Sequence, residues 1–464
     1  MNLKRTAASY TIIDVVSNVI AVAGLWLLIR HISVTAFGLT DLLRTLQVSL
    51  VPLVSLNALM SAGRFYFEAR DDTERRQILG TALMMQMAAG FVAAGVVVLG
   101  QPAAARFLHP SLTMDVALVV ALGVPATGMV AALTQAVVLR GSVGGYAALT
   151  LSQSLLNLGA VLICVVWWGG GVREYFVGLL AGAWATAAGG LIAQRRAFAF
   201  GWNLPSPRKY IRLGGPYTIA GGIQYTYVLL VRVVLVRLGA GEALGFYAFA
   251  ERLQQPLTVV VAAVGRSWVP WLLREPAPAL TAPRLAARDL NGMVLVVLTA
   301  LVTFLPELIA ILGGTRYDAV YPVAVLLLVG NWIYFLGDWL VSAGLFVSKQ
   351  SHHAIWIYLL AYGSAAAFSL VAVARWGSVG AALSSLAAST MVFVAMFAVS
   401  RTVWPVDLGL GHLLPGSAVG IGLGIIAGAL VPLPFKPLVF AIELAGLHLL
   451  RLLPLRLRLA PTAS

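Results

Sequence analysis

Read along the chain, apolar runs of about twenty residues alternate with short polar breaks in which arginine dominates. A helix rises about 1.5 Å per residue, so roughly 20 apolar residues cross the hydrocarbon core of a bilayer. The runs fall at 8–30, 36–62, 78–100, 116–139, 147–168, 174–193, 213–237, 243–271, 290–312, 320–347, 354–374, 379–400, 413–431 and 437–453, which predicts fourteen spanning helices. No set of short segments alternates apolar and polar residues as the strands of a membrane barrel do. The predicted fold class is all-α, a polytopic membrane protein. The segment after Lys4-Arg5 resembles a signal peptide in charge and apolarity. It carries Asp14 and Asn18 and lacks a small-x-small cleavage site, so it reads as the first span.

The pattern repeats. Displaced by 207 positions, Arg5, Tyr10, Thr11, Ile12, Leu28, Arg30, Ala36, Gly38, Leu46, Gln47, Leu50 and Val54 meet identical residues from Arg212 to Val261, which is 12 identities in 50 ungapped positions. Aliphatic matches between apolar helices carry little information. Tyr-Thr-Ile at the start, Arg at the end of the first helix, Gly38 with Gly245, and Gln47 with Gln254 carry more. Two copies of one helical unit in the same orientation are a recurring transporter plan. The expected organisation is an N-terminal six-helix lobe over 1–193, a cytoplasmic linker at 194–212, a C-terminal six-helix lobe over 213–400, and a terminal helix pair with a basic tail at 401–464.

Composition agrees with this class: the 464 residues are 60% hydrophobic and only 10% charged. No segment outside the predicted spans is large enough for a folded catalytic domain. The net charge of +14 lies mostly in loops flanking the spans, where it sets topology and gives no reason to expect nucleic acid. With the N-terminus in the cytoplasm, 20 of the 31 Lys and Arg fall on the cytoplasmic side, 7 on the other and 4 inside helices. That bias places both termini inside and calls for an even number of helices. The single cysteine, Cys164, excludes an internal disulfide and a cysteine-based metal site. His352 and His353 are adjacent and cannot share a helix face, so metal ligation is not expected.

The informative residues are those a bilayer disfavours. A charge at mid-membrane costs roughly 2.5–3.5 kcal/mol on insertion scales, so such residues face a cavity or a partner. They are Asp14, Asp41, Arg44, Arg232, Glu251, Arg252, Asp338 and Glu443. Arg44 lies about seven residues, roughly 10 Å, inside the outer end of its helix, and Arg252 is at similar depth on the repeat-equivalent helix. If these helices and that of Arg232 line a central cleft, three arginines form a cationic wall suited to phosphate, which guanidinium binds bidentately. The alternative is snorkelling to headgroups, or local pairing of Asp41 with Arg44 and of Glu251 with Arg252.

Asp14, with Asn18 one turn further on, could carry a proton or Na+, or could simply anchor a helix end. Asn331, Tyr334, Asp338 and Ser342 form one polar stripe, either cavity lining or interhelical glue. Tyr217, Gln224 and Arg232 align similarly. Pro52, Pro125, Pro256 and Pro322 are expected to interrupt their helices. The glycines at 416, 420, 422, 424 and 428 offer a face for close approach, either packing or a lipid-tail groove.

The basic start, the Phe37-Gly38-Leu39 turn, the closing Gly63-Arg64-Phe65-Tyr66-Phe67-Glu68 and the repeated Leu244-Gly245-Phe246-Tyr247 resemble polysaccharide-biosynthesis flippases. These are the O-antigen and exopolysaccharide exporters of the multidrug/oligosaccharidyl-lipid/polysaccharide (MOP) superfamily. The resemblance extends over the whole chain in length, helix count and repeat. It implies a V-shaped pair of lobes that flips an undecaprenyl-diphosphate-linked oligosaccharide across the bacterial inner membrane, without enzymatic activity. The implied diphosphate contacts are Arg44, Arg232 and Arg252, with Arg64 and Arg266 at the cytoplasmic mouth. Asp14, Asn18, Asp41, Gln47, Gln224, Gln254, Asn331, Tyr334 and Asp338 are cavity or coupling candidates. No cofactor is implied beyond a coupling H+ or Na+. The implied partners are the lipid-linked substrate, membrane lipids and other polysaccharide-assembly membrane proteins. The rival readings are a cation-coupled multidrug antiporter, a membrane polysaccharide polymerase or ligase, and a scaffold without transport activity.

Overall fold

The computed structural model describes residues 3–54, 58–107, 109–199, 207–239, 242–274, 282–348, 350, 352–450 and 452–453. Among them there is no strand. In hydrocarbon every backbone group must find its partner inside the protein, and a helix achieves this within one segment. The linker from 200 to 206, the side chains of Tyr217 and Arg266, and the basic tail beyond 453 lie outside the described residues.

The chain divides into two compact units, Met1–Ala248 and Phe249–Ser464. The first holds α1 (Leu3–Ile29), α2 (Val34–Val54), α3 (Ala58–Glu68), α4 (Asp72–Phe107), α5 (Met114–Leu139), α6 (Val143–Leu162), α7 (Val172–Gln194), α8 (Pro207–Leu238) and the start of α9 (Ala243–Leu253). The second continues with α10 (Gln255–Arg274), α11 (Ala282–Thr303), α12 (Leu305–Leu312), α13 (Tyr321–Tyr334), α14 (Ala343–Val347), α15 (His353–Val403), α16 (Leu410–Leu430) and α17 (Lys436–Leu449).

Among the described residues, ten stretches are long and apolar enough to cross a bilayer. The remaining predicted spans are helical but interrupted, short or kinked. The 243–271 run breaks at Gln254, just before Pro256, into α9 and α10. The 320–347 run passes through a π-helical turn at Phe335–Val341. The 354–374 and 379–400 runs are two helices that meet at a kink at Gly377 within α15, where a φ of +54° suits a residue without a side chain. Pro125 departs from expectation: α5 runs through it unbroken. Gly90 of α4 makes room, since a Cβ there would lie 2.6 Å from the Pro125 Cα.

Packing in the first unit centres on α4, α5 and α7, with Leu79, Leu83, Met129, Leu133 and Ala187 in one buried cluster. Lipid is as apolar as leucine, so close packing and polar contacts hold such helices together rather than escape from water. The repeat-matched glycines show this directly. A Cβ on Gly38 would stand 2.7 Å from the Gly245 nitrogen, and one on Gly245 would stand 2.2 Å from the Val34 carbonyl oxygen. The starts of α2 and α9 therefore touch backbone to backbone.

In the second unit α16 packs on α11 and α17. Protein covers four of its five glycines: Leu452 lies against Gly416, Leu447 against Gly420, and α11 against Gly424 and Gly428, whereas nothing lies within 4 Å of a Cβ placed on Gly422. A polar seam pins the terminal pair to α11 and α12. Asn291 donates to Ser417 at 3.1 Å, Thr303 donates to Glu443 at 3.2 Å, and Lys436 pairs with Glu307 at 2.7 Å.

Candidate functional site

Three of the first unit's four intramembrane charges, Asp41, Arg44 and Arg232, lie on α2 and α8. Arg232 of α8 donates through Nε to Asp41 Oδ2 at 2.8 Å, with both side chains about 95% buried (4% and 5% exposed). Its Nη1 donates to the Val228 carbonyl at 3.0 Å, and its guanidinium stands 5.7 Å from the Tyr247 ring centre. Asp41 thus pairs with Arg232 across helices. Asp41 and Arg44 are only three residues apart on α2, yet Asp41 is turned to α8 and Arg44 to its own helix. The Arg44 Nη1 donates to Gln47 Oε1 at 2.9 Å, one turn along α2. Gln47 in turn donates to the Val120 carbonyl of α5 at 3.2 Å. Gly123 leaves room for this, because a Cβ there would stand 2.2 Å from Gln47 Nε2. Arg44 itself is half-buried. A guanidinium steadied through one edge by a fixed amide is an oriented anion-binding fork.

The other candidates take different places. Asp14 of α1 accepts from the Tyr146 hydroxyl of α6 at 2.5 Å, and Asn18 donates to the Asp14 carbonyl at 2.7 Å. Gln224 is half-buried on α8. Arg64 is exposed at the end of α3 and paired with Glu68 at 2.9 Å. Beside it, Phe65 meets Tyr210 edge-on at 5.1 Å, and burial pushes the Tyr210 hydroxyl up to about 12, so it stays neutral.

In the second unit Arg252 and Gln254 are half-buried at the α9–α10 break. The polar stripe lies between helices: Asn331 donates to Thr258 of α10 at 2.8 Å, and Asp338 accepts from Tyr358 of α15 and from Tyr334. The Ser342 hydroxyl turns back to the Asp338 carbonyl.

Tyr146, Val120 and Tyr358 escaped the sequence reading. A tyrosine hydroxyl or a backbone carbonyl on an apolar helix carries no charge to betray it.

The structure is similar to several solved transporters. Lipid II flippase MurJ in an inward closed conformation aligns with a TM-score of 0.76, at 10% identity, over 95% of this chain and 97% of that one. An inward-facing multidrug resistance MATE family transporter of the MOP superfamily aligns with a TM-score of 0.67, at 13% identity, over 86% and 96%. A MOP superfamily transporter from Pyrococcus furiosus, described as having a binding pocket of reverse polarity, aligns at 0.59, with 13% identity, over 88% and 95%. At these identities the likeness establishes the fold, that of the MOP transporters. No protein of curated function matches the sequence. The profile of the polysaccharide biosynthesis proteins matches residues 3–274, more than half of the chain. With a multi-pass helical fold of the MOP type, the protein belongs to the polysaccharide biosynthesis protein family.

Proposed function

We propose that the protein flips an undecaprenyl-diphosphate-linked oligosaccharide across the bacterial inner membrane by alternating access, with both termini cytoplasmic. The observation that carries this is Arg44: a half-buried guanidinium on an apolar helix, steadied by Gln47, in a member of a polysaccharide biosynthesis family. Phosphate oxygens match that fork. We assign the diphosphate contacts to Arg44 and Arg232 in the first unit and to Arg252 in the second. Arg64 and Arg266 would attract the headgroup at the cytoplasmic mouth. Asp41 holds Arg232 in place between transport events. If an ion is coupled, Asp14 with its Tyr146 partner is our candidate to carry it. An inside-negative potential favours outward movement of an anionic headgroup by about 2.3 kcal/mol per charge and 100 mV.

The test is complementation of a strain lacking its own flippase. Arg44→Ala, present in the membrane at normal level, is expected to lower surface glycan roughly tenfold to a hundredfold, the worth of one charge-assisted bond. Arg44→Lys separates charge from fork geometry: recovery means that charge suffices, and failure means bidentate contact. Full activity of Arg44→Ala, accompanied by efflux of organic cations, would favour the multidrug reading instead.

A further inference from the structure

We propose that the second unit carries a site for an anionic glycerophospholipid where α16 begins and α17 ends. A cavity of about 530 Å³ opens there, and its charged lining is basic, Arg284 and Arg288 of α11, with the His412 ring of α16 beside them. The two arginines are one turn apart, so both heads reach the same mouth.

The start of α16 adds to this. The aligned peptide dipoles make that end favourable for an anion, and a carboxylate already uses it: the Gly409 N–H donates to Asp407 Oδ1 at 2.8 Å. Gly409, at φ +70°, turns the chain into the helix. A Cβ on it would stand 2.8 Å from Arg284 Nε, so the guanidinium stem lies across the helix start.

Both arginines already hold carboxylates, Arg284 with Asp407 at 3.4 Å and Arg288 with Asp289 at 2.9 Å. The first pair is open to solvent, with 55% and 72% of the side chains exposed. Such exposed pairs contribute little, about 0–1 kcal/mol, and a phosphate diester offers stronger charge-assisted bonds in their place.

The rest of the lining argues for a lipid rather than a soluble anion. Leu285, Leu413 and Leu449 face the same cavity. Leu285 is 51% and Leu449 81% exposed, an apolar wall that acyl chains would cover and inorganic phosphate would not. The cavity lies at helix ends, the depth at which headgroups sit. The charge pattern assigns that end to the cytoplasm. Basic pockets between helices on that side suit anionic headgroups. A lipid bound here would tie α11 to the terminal pair, independently of the transported substrate.

The test uses the purified full-length chain in detergent, with lipid binding read by native mass spectrometry and by the thermal unfolding midpoint. The probes are phosphatidylglycerol, phosphatidylethanolamine and inorganic phosphate. Phosphatidylglycerol is expected to bind and raise the midpoint, and the other two are not. The Arg284→Gln/Arg288→Gln double variant is expected to weaken phosphatidylglycerol binding roughly tenfold or more. Equal binding of phosphatidylethanolamine would reduce the site to an apolar groove. An equal response to phosphate would make it a free-anion site. A double variant that binds like the wild type would place the lipid elsewhere. Any of these three overturns the proposal. The headgroup preference is measured on the wild type, so it decides the matter even if the double variant fails to fold.

Discussion

Asp41→Ala is expected to destabilise the protein by about 3 kcal/mol, the cost of removing one partner of a buried ion pair. The replacement leaves the Arg232 guanidinium buried, with the Val228 carbonyl and the Tyr247 face near it but its carboxylate gone. A guanidinium cannot shed its proton. The converse change, Arg232→Leu, is expected to cost less, because an orphaned carboxyl can take up a proton and become neutral. The double variant Asp41→Ala/Arg232→Leu should recover much of the loss, since replacing both partners of a buried pair by apolar groups is often close to neutral. The thermal unfolding midpoints of the four proteins, purified in the same detergent, decide this. Equal losses for both single variants, with simple additivity in the double, would show that the two residues do not form one unit.

Gly245→Ala is the second large effect. The added methyl would have to stand 2.2 Å from the Val34 carbonyl oxygen and 2.5 Å from its Cγ1, against a backbone that cannot rotate away. Overpacking of this kind costs about 1–3 kcal/mol. The control is Gly95→Ala on α4, where nothing lies within 4 Å of the new Cβ. There the helix gains up to about 1 kcal/mol from the better helix former. Opposite signs at the two positions, read from unfolding midpoints, would establish that α2 and α9 meet through their glycines. A neutral Gly245→Ala would remove that contact from the account.

These two sites also show how far the sequence was legible. Gly38 and Gly245 stood out because they recur at the same place in the two copies, and the structure supplies the reason: the two turns touch each other. The helices themselves were legible because a bilayer demands long apolar runs, and among the described residues the runs are predominantly helical. The break at Gln254 was not, because a one-residue interruption leaves hydropathy unchanged.

At the site, the charges announced themselves by their cost in hydrocarbon, whereas their partners did not. Arg44 three residues from Asp41 suggested a local pair as one alternative. Arg232, which the structure places on Asp41, is 191 residues away, a distance that only folding closes. The Asp338 contact from Tyr358 was hidden in the same way, since tyrosine is unremarkable on an apolar helix.

The central claim is that this protein moves a diphosphate-linked glycolipid and that Arg44 takes part. The most direct measurement is leaflet transfer in liposomes containing the purified protein and a fluorescent undecaprenyl-diphosphate oligosaccharide. A glycosidase that cannot cross the membrane reports how much lipid has reached the outer leaflet. The account predicts transfer well above protein-free liposomes, and a rate roughly tenfold to a hundredfold lower for Arg44→Ala at an unchanged unfolding midpoint. Transfer at the protein-free rate by well-folded wild-type protein, or an Arg44→Ala rate equal to wild type, would contradict it.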